Sequence, residues 1–481
     1  MAKFNKTVKT EKVASYEGGE VFEKNPVEDW INFLFSSYLE NQFYESADEQ
    51  MNRYTELTQK VGEKLGWEFV AKASFFSRNV LGMRSVSELT AAILNGQKFD
   101  NKRAYFRNFM KRPDDASEVF AAIDSLGGKR SHALVRGAAD YLSKLNDYSI
   151  DKYKLNGKVY NMFDLINITH AHSAAIDRYK NGCLEKADTW EKAISASENE
   201  EEKNQEWQRL VEERKLGYLA LIRNLRNIVN TKPSVGWVQE YLVPQIENVT
   251  VIKKSLVWPY QIYCAYKNVG IRNVDIDTAL ANAFRAACGN MPDLPGRNVV
   301  VLDVSGSMDD RWSANSSLTI KEVGAVYGAA LLIHSGADFI KFGNYAQFKS
   351  YNPLDNIFNI ISSMQENEGC GYGTDVTSAY NVMQKKYDRI FLISDMQTMS
   401  TYSGWYYTGT GENSYNSYCK KFNCASHVYS FDLSNYHSQV ENPNNPKIHL
   451  LTALSDKFFT LIKFIEDGGN LVDYINENYS Y

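Results

Sequence analysis

The sequence predicts a chain of two architectures: an all-helical front part, then an α/β part built on a parallel sheet covered by helices. Three observations predict this. From Pro26 to Leu145, apolar residues recur at helical spacing and few stretches alternate as strands do. Beyond residue 297, short continuous apolar runs rich in β-branched residues alternate with a helix-like stretch, the pattern of strands buried on both faces. Between the two, Pro292–Arg297 (PDLPGR) breaks both patterns with two prolines and a glycine.

The elements follow in order. Residues 1–22 are polar, with lysines at 3, 6, 9 and 12, and read as a mobile tail. Helical periodicity then appears in Trp30, Phe33, Leu34 and Tyr38, in Leu57, Val61 and Leu65, and in Leu89, Ile93, Phe106 and Met110. Gly127–Gly128 precedes a further helical run, His132–Leu145. Lys186–Lys215, dense in Glu and Lys, reads as a solvated helix or a long connection. Leu216–Val229 is amphipathic, and Asp277 is placed to cap a helix beginning at Thr278. After the break come the strand-like runs Asn298–Val304, Ala337–Phe342, Asp388–Ser394 and His427–Leu433, with a helix-like stretch at Thr319–His334. The expected organisation is a tail over 1–22, a helical domain over 23–296 and an α/β domain over 297–481.

Composition narrows the function classes. The 481 residues are 44% hydrophobic and 23% charged, ordinary for a folded chain. Six scattered cysteines with no CxxC pair argue against a zinc ribbon or a disulfide scaffold and fit a reducing compartment. No apolar run approaches the ~20 residues that span a bilayer, and the N-terminal residues lack a signal core. A cytoplasmic location is therefore expected. The net charge of −5 hides an asymmetry. Residues 297–481 carry 13 basic and 19 acidic residues, whereas Ala71–Arg112 holds nine basic and two acidic. A basic zone in front of an acidic half hints at function rather than fold.

The sharpest motif is Asp303-Val-Ser305-Gly-Ser307-Met, directly after a predicted strand. In parallel α/β sheets, ligands bind beyond the carboxyl ends of strands. A turn there aims one carboxylate and two hydroxyls at a common point. Gly373-Thr374-Asp375 offers a third hydroxyl, and Ser394-Asp395 a second carboxylate at another strand end. Hard oxygen ligands suit Mg²⁺, with Mn²⁺ or Ca²⁺ as alternatives, and not zinc. Asp303, Ser305, Ser307, Thr374 and Asp395 are thus the candidate metal ligands.

This constellation resembles the metal-ion-dependent adhesion site of von Willebrand factor A domains. The resemblance covers roughly 297–481 and implies a doubly wound α/β fold with the metal at its top, open to an acidic partner ligand. A Tyr/Ser/Gly/Asn-rich insertion at 399–418 departs from that pattern.

The preceding segments LGYLALIRNLRNIVN (216–230), WPYQIYCAYKNV (258–269) and DIDTALANAFRAACGNMPDLPGRNVVVLDVSGSM (275–308) resemble the Ro autoantigen family of TROVE-domain RNA-binding proteins. SRNVLGMRSVSELTAAIL (77–94) and NMFDLINITHAH (161–172) fit more loosely. The resemblance implies a ring of HEAT-like helical repeats closed by the A domain. It implies a noncatalytic, monomeric protein that binds small Y-type RNA on an outer basic face and 3′ ends of misfolded RNA in the ring hole. It further implies a role in RNA quality control or processing, with an exoribonuclease such as polynucleotide phosphorylase as a partner. His170 aligns with a family histidine associated with RNA contact. From the residues themselves, Arg78, Arg84, Arg130 and Arg136 are the preferred phosphate contacts, because arginine forks onto phosphate and these lie near glycine-rich turns. Lys129 joins them. No GxSxG, Walker loop or HExxH supports catalysis. The competing reading is a protein-interaction scaffold that grips an acidic partner through the metal, without RNA.

Overall fold

The structure, a computed structural model, describes residues 12–16, 18–36, 39, 45–153, 155–184, 189–312, 316–398, 402–403, 406–407, 411–434, 436, 438–451, 462, 465–466 and 470–481. Part of the 399–418 insertion and residues 1–11 of the predicted tail lie outside them. The chain divides into two compact units, and each is assembled from three separate stretches of the sequence.

One unit comprises residues 26–40, 47–192 and 461–481. Its helices are α1 (Pro26–Ser36), α2 (Ala47–Leu65), α3 (Trp67–Phe76), α4 (Ser85–Asn95), α5 (Lys102–Phe109), α6 (Pro113–Ser125), α7 (His132–Leu142), α8 (Asp147–Lys152), α9 (Met162–Thr169) and α10 (Ala174–Lys180). The apolar stripes read from the sequence form its core: Trp30, Phe33, Leu34, Val61 and Phe106 are fully buried. Two large buried polar tips find partners, as most buried polar groups do. Trp30 Nε1 donates to Thr58 Oγ1 at 2.8 Å, and Tyr105 OH lies 2.9 Å from Ser74 Oγ. The C-terminal helix Leu471–Asn478 packs on α3, and Tyr479 sets its ring 4.6 Å from that of Phe76. Between α3 and α4, a π-helical turn, Ser77–Leu81, ends at Gly82 with φ of 78°.

The other unit comprises residues 1–25, 41–46 and 193–460. The division falls within α11 (Trp190–Ser195). There follow α12 (Glu200–Glu212), α13 (Tyr218–Arg223), α14 (Leu225–Asn230), α15 (Val235–Trp237), α16 (Val243–Ile246), α17 (Val249–Ser255), α18 (Pro259–Asn268) and α19 (Val274–Cys288). One local expectation sharpens here and one changes. The amphipathic run 216–229 forms two helices that meet at Asn224. The helix expected from Thr278 begins at Val274, because Asn273 Oδ1 caps it by accepting from the backbone N of Asp275 and Ile276. Asp277 lies inside the first turn, where a carboxylate favours the helix N-terminus.

Within the segment read as a tail, β1 (Lys12–Ala14) and β2 (Glu20–Glu23) form an antiparallel pair. The α/β sheet contains β3 (Asn298–Asp303), β4 (Asp338–Phe342), β5 (Ala346–Lys349) and β6 (Arg389–Ser394). After a short pair, β7 (Tyr402–Ser403) and β8 (Tyr406–Tyr407), come β9 (His427–Asp432), β10 (Ser438–Gln439) and β11 (Ile448–Leu451). The sheet order is β11-β9-β6-β3-β4-β5, parallel except for the β5 edge. All four predicted strands are present within a residue at each end. β5 and β11 are additions, too short to stand out in sequence.

Helix α20 (Ile320–Ser335) follows β3 and covers one face: a Cβ on its Gly324 would meet Leu302 Cδ1 at 2.6 Å. Thr319 and Glu322 form its capping box. Helix α21 (Ile357–Gln365) lies beside it. On the opposite face, α22 (Val376–Val382) and α23 (Gly411–Phe422) bury Tyr380, Tyr415 and Tyr418 against Val299, Val301, Ile390 and Leu392. The sheet is therefore doubly wound. The chain leaves β3 toward β4 on one side and returns to β6 on the other, so the strand order reverses between β3 and β6. That reversal opens a crevice beyond the strand ends. Strand β10 pairs with β2, and Lys24 Nζ meets Asp432 at 2.7 Å with both side chains fully buried. No helix among the described residues is long and apolar enough to cross a membrane.

Candidate functional site

The crevice between β3 and β6 brings the five predicted metal-site residues together. Asp303 ends β3, and its carboxylate accepts from Ser305 N at 2.9 Å and from Ser394 Oγ at 2.6 Å. The second bond ties β6 to β3 across the reversal. Ser305 Oγ and Ser307 Oγ lie 3.4 Å apart. Gly306 N donates to Tyr372 O at 2.9 Å, which joins the first loop to the Gly373–Asp375 loop. Thr398 Oγ1 donates to Thr374 O at 2.9 Å, which joins that loop to the one after β6. Asp395 accepts from Gln397 N at 3.1 Å. Only two of the three loops are strand ends; the Thr374 loop leads into α22 instead.

All five residues are buried, with Asp303 fully enclosed and Asp395 at 1% exposure. Thr374 Oγ1 is buried with no hydrogen-bond partner. Burying a hydroxyl without a partner costs about 1–3 kcal/mol. Two enclosed carboxylates and an orphaned hydroxyl, supported by serine hydroxyls, are a donor set that fits a hard divalent cation. With no histidine or cysteine among the five, the set does not suit a soft metal. Cys370 sits near these loops and contacts Lys341 O; burial pushes its thiol up, which does not favour a nucleophile.

The predicted RNA-contact residues fall into two groups. Arg78 is buried, and its guanidinium clasps Asp115 at 2.7 and 2.8 Å. Asp115 also accepts from the backbone N of Lys111 and Arg112. Arg84 binds Asp114 at 2.8 Å and approaches Glu88 at 3.4 Å. Arg130 is held by Asp124 and lies over the rings of Phe120 and Tyr160. These three guanidinia serve interior or local pairs. Lys129, Arg136 and His170 are exposed, and among the described residues Arg136 makes no ion pair.

The structure adds residues around His170. Helix α9 starts at a capping box, in which Asn161 and Asp164 exchange backbone hydrogen bonds of 3.0 Å. It ends at His170 in the left-handed conformation, φ 54°. That termination turns the imidazole into a concavity of about 510 Å³ lined by Arg103, Arg107, Ser143, Lys144, His170 and His172 together with Asp140. Helices α5 and α7 form its other wall, and Gly137 sets their spacing: a Cβ there would meet Phe106 Cβ at 2.7 Å and Arg103 O at 2.8 Å. Arg103 is bidentate on Asp140, with both bonds at 2.7 Å, and this holds the Asp140 carboxyl below its ordinary range. One carboxylate thus faces two arginines, a lysine and two histidines, an arrangement attractive to an anion. Arg103 and Arg107 lie four apart on one helix face, a signal visible in sequence that nearness to glycine does not register. Phe163 and Asn167, both exposed, share a helix face leading to His170.

Comparison with known proteins now bears on these sites. Residues 151–290 match the family model of the TROVE domain. That segment is similar to a TROVE domain. It holds His170 and His172, whereas Arg103, Arg107 and Lys144 precede the matched segment. Among solved structures, the chain is similar to the Deinococcus radiodurans RO (RSR) protein, with a TM-score of 0.63 and 16% identity. The likeness covers 92% of this chain and 100% of that one. No curated protein matches the sequence. The TROVE match bears out the recognition read from 216–308, and the structural likeness bears out the mixed fold class, a helix-rich part followed by an α/β sheet. At 16% identity, that likeness speaks for the fold alone.

Proposed function

We propose that this TROVE-like protein binds structured RNA without catalysis, seating phosphates in the concavity of Arg103, Arg107, Lys144, His170 and His172. The observation that carries this is the convergence of five basic side chains on one concave surface, with Phe163 exposed on the helix that ends at His170. Backbone cations supply affinity to RNA, and flat side chains accept unstacked bases. Arg136 and Lys129 extend the same reading along the exposed surface around α7. Small Y-type RNA is the proposed ligand of this face, with 3′ ends of misfolded RNA as a second ligand class and an exoribonuclease as a partner in processing.

The test is binding measured across salt with a structured small RNA carrying a 3′ tail, a single-stranded tail and a duplex. Affinity should be highest for the tailed structure and fall steeply with salt. Combining Arg107→Ala with Lys144→Ala should weaken all RNAs alike and flatten the log–log salt slope by about 0.7–0.9 for each phosphate that is no longer neutralised. An unchanged slope would place RNA elsewhere on the molecule. Failure to bind any RNA at low salt would favour the second reading.

That second reading rests on the buried Asp303, Asp395 and the orphaned Thr374 Oγ1. Asp303, Ser305, Ser307, Thr374 and Asp395 would hold Mg²⁺, or Mn²⁺ or Ca²⁺, and the bound ion would supply an electrophilic point for an acidic partner. The chain's own residues fix the loops and exclude water. Asp303→Ala should abolish saturable Mg²⁺ binding in calorimetric titration while leaving RNA affinity unchanged; an unaltered titration would refute the site.

A further inference from the structure

Helix α23 ends in a cap that places two cysteines side by side. Asn423, at φ 47°, adopts the left-handed conformation just beyond the helix. Cys424 N donates to Cys419 O at 3.0 Å, and Asn423 N donates to Lys420 O at 3.4 Å. This crossed pair of bonds, six-to-one outside five-to-two, defines a Schellman cap. In such a cap the residues at the two ends of the outer bond bring their side chains together, commonly as an apolar contact. Here both positions are cysteine. Their side chains pack half-buried against the same core that holds Tyr415 and Tyr418, and the Cys424 thiol is a hydrogen-bond neighbour of Cys419. Ser426 Oγ lies 3.5 Å from Cys424 Sγ while also bonding Tyr387 O. Ser426 thus anchors the Cys424 thiol beside the Tyr387 carbonyl. The other four cysteines lie far apart in sequence: Cys288 and Cys370 are buried, Cys264 is half-buried and Cys183 is exposed.

We propose that Cys419 and Cys424 are a redox modification site that closes reversibly into an intramolecular disulfide by exchange with a small-molecule disulfide. The Cys424 thiolate attacks one sulfur of the oxidant, forms a mixed disulfide and releases one small thiolate. The Cys419 thiolate then attacks Cys424 Sγ, breaks the mixed disulfide and releases the second small thiolate. Two protein thiols are oxidised, one small disulfide is reduced to two thiols, and the two protons pass to those thiols. Burial pushes the Cys419 thiol up, so it is the slower nucleophile and acts second, when the mixed disulfide holds its target beside it. The closed form locks the end of α23 four residues from the start of β9.

Trypsin makes the test direct, because Lys420 and Lys421 lie between the two cysteines. The native full-length chain is incubated with 2-hydroxyethyl disulfide, quenched in acid, alkylated and digested. A peptide ending at Lys420 should emerge linked to the peptide beginning at Phe422, about 2 Da lighter than the two reduced peptides together. Added dithiol should release it. Cys419→Ser should instead leave a persistent mixed disulfide on Cys424. The linkage should form about tenfold faster in the native chain than in urea, since the cap presets the encounter. Equal rates in the two states would overturn the proposal, as would recovery of both cysteines as free thiols while exposed Cys183 exchanges.

Discussion

Glu88 shows how a single buried side chain sets a pH dependence. Burial, with Asp115 close by, raises its carboxyl from 4.5 to about 8, against the pull of Arg84. The folded chain therefore holds a proton between pH 4.5 and about 8 that the unfolded chain has released. Stability falls as pH rises through that window and levels off above it. Glu88→Gln keeps the shape and removes the ionisation. It should raise the melting temperature at pH 8, by about 2–4 °C for each kcal/mol recovered, and have little effect at pH 4. Equal shifts at both pH values would assign the gain to something other than ionisation. Arg78 teaches the complementary lesson. Its attraction as a phosphate contact came from charge and a neighbouring glycine, but the Asp115 that engages it lies 37 residues away. Local sequence carries no trace of such a partner. Arg136, chosen by the same rule, is exposed, and among the described residues no carboxylate pairs with it.

Elements differ in how much of themselves they disclose. The β3 and β6 strands were legible because continuous burial on both faces leaves an uninterrupted apolar run. The loop at 303–307 was legible because its donors are adjacent in the chain. The concavity at His170 was not, since segments around residues 105, 142 and 171 meet only when α5 and α7 approach closely. Gly137 permits that approach, and its lack of a side chain looks in sequence like a weakness in a helix. Gly137→Ala puts a methyl against the Phe106 Cβ and two backbone atoms of α5, none able to swing aside. Overpacking of this kind costs about 1–3 kcal/mol, measurable by urea unfolding. RNA affinity should fall with it, because Arg103 and Arg107 ride on the displaced helix. Loss of stability with unchanged affinity would separate the concavity from RNA binding. The split of 216–229 into two helices was equally hidden, for the amphipathic period runs on through Asn224.

At the scale of the whole molecule, a boundary near residue 297 describes composition better than it describes assembly. The α/β unit takes in the first 25 residues, and the helical unit takes in the last 21. Removal of residues 12–24 would strip the partner from enclosed Asp432, and breaking a buried pair from one side costs about 3–5 kcal/mol. Removal of residues 471–481 would uncover Phe76 and Tyr105, on which Tyr474, Tyr479 and Tyr481 lie. Each truncation should lower the melting temperature and widen the transition, as seen by calorimetry. A chain shortened at either end yet melting as before would show that the terminal segments merely rest on the surface.

The Lys24–Asp432 pair also has a consequence in time. On the ribosome, Lys24 emerges more than 400 residues before the carboxylate that neutralises it, and the opening strands have no sheet to join until β10 is made. The first helices, in turn, wait for Tyr479 to leave the exit tunnel. Neither unit can close before its late segment has emerged, so the early residues of each wait for partners made near the far end of the sequence.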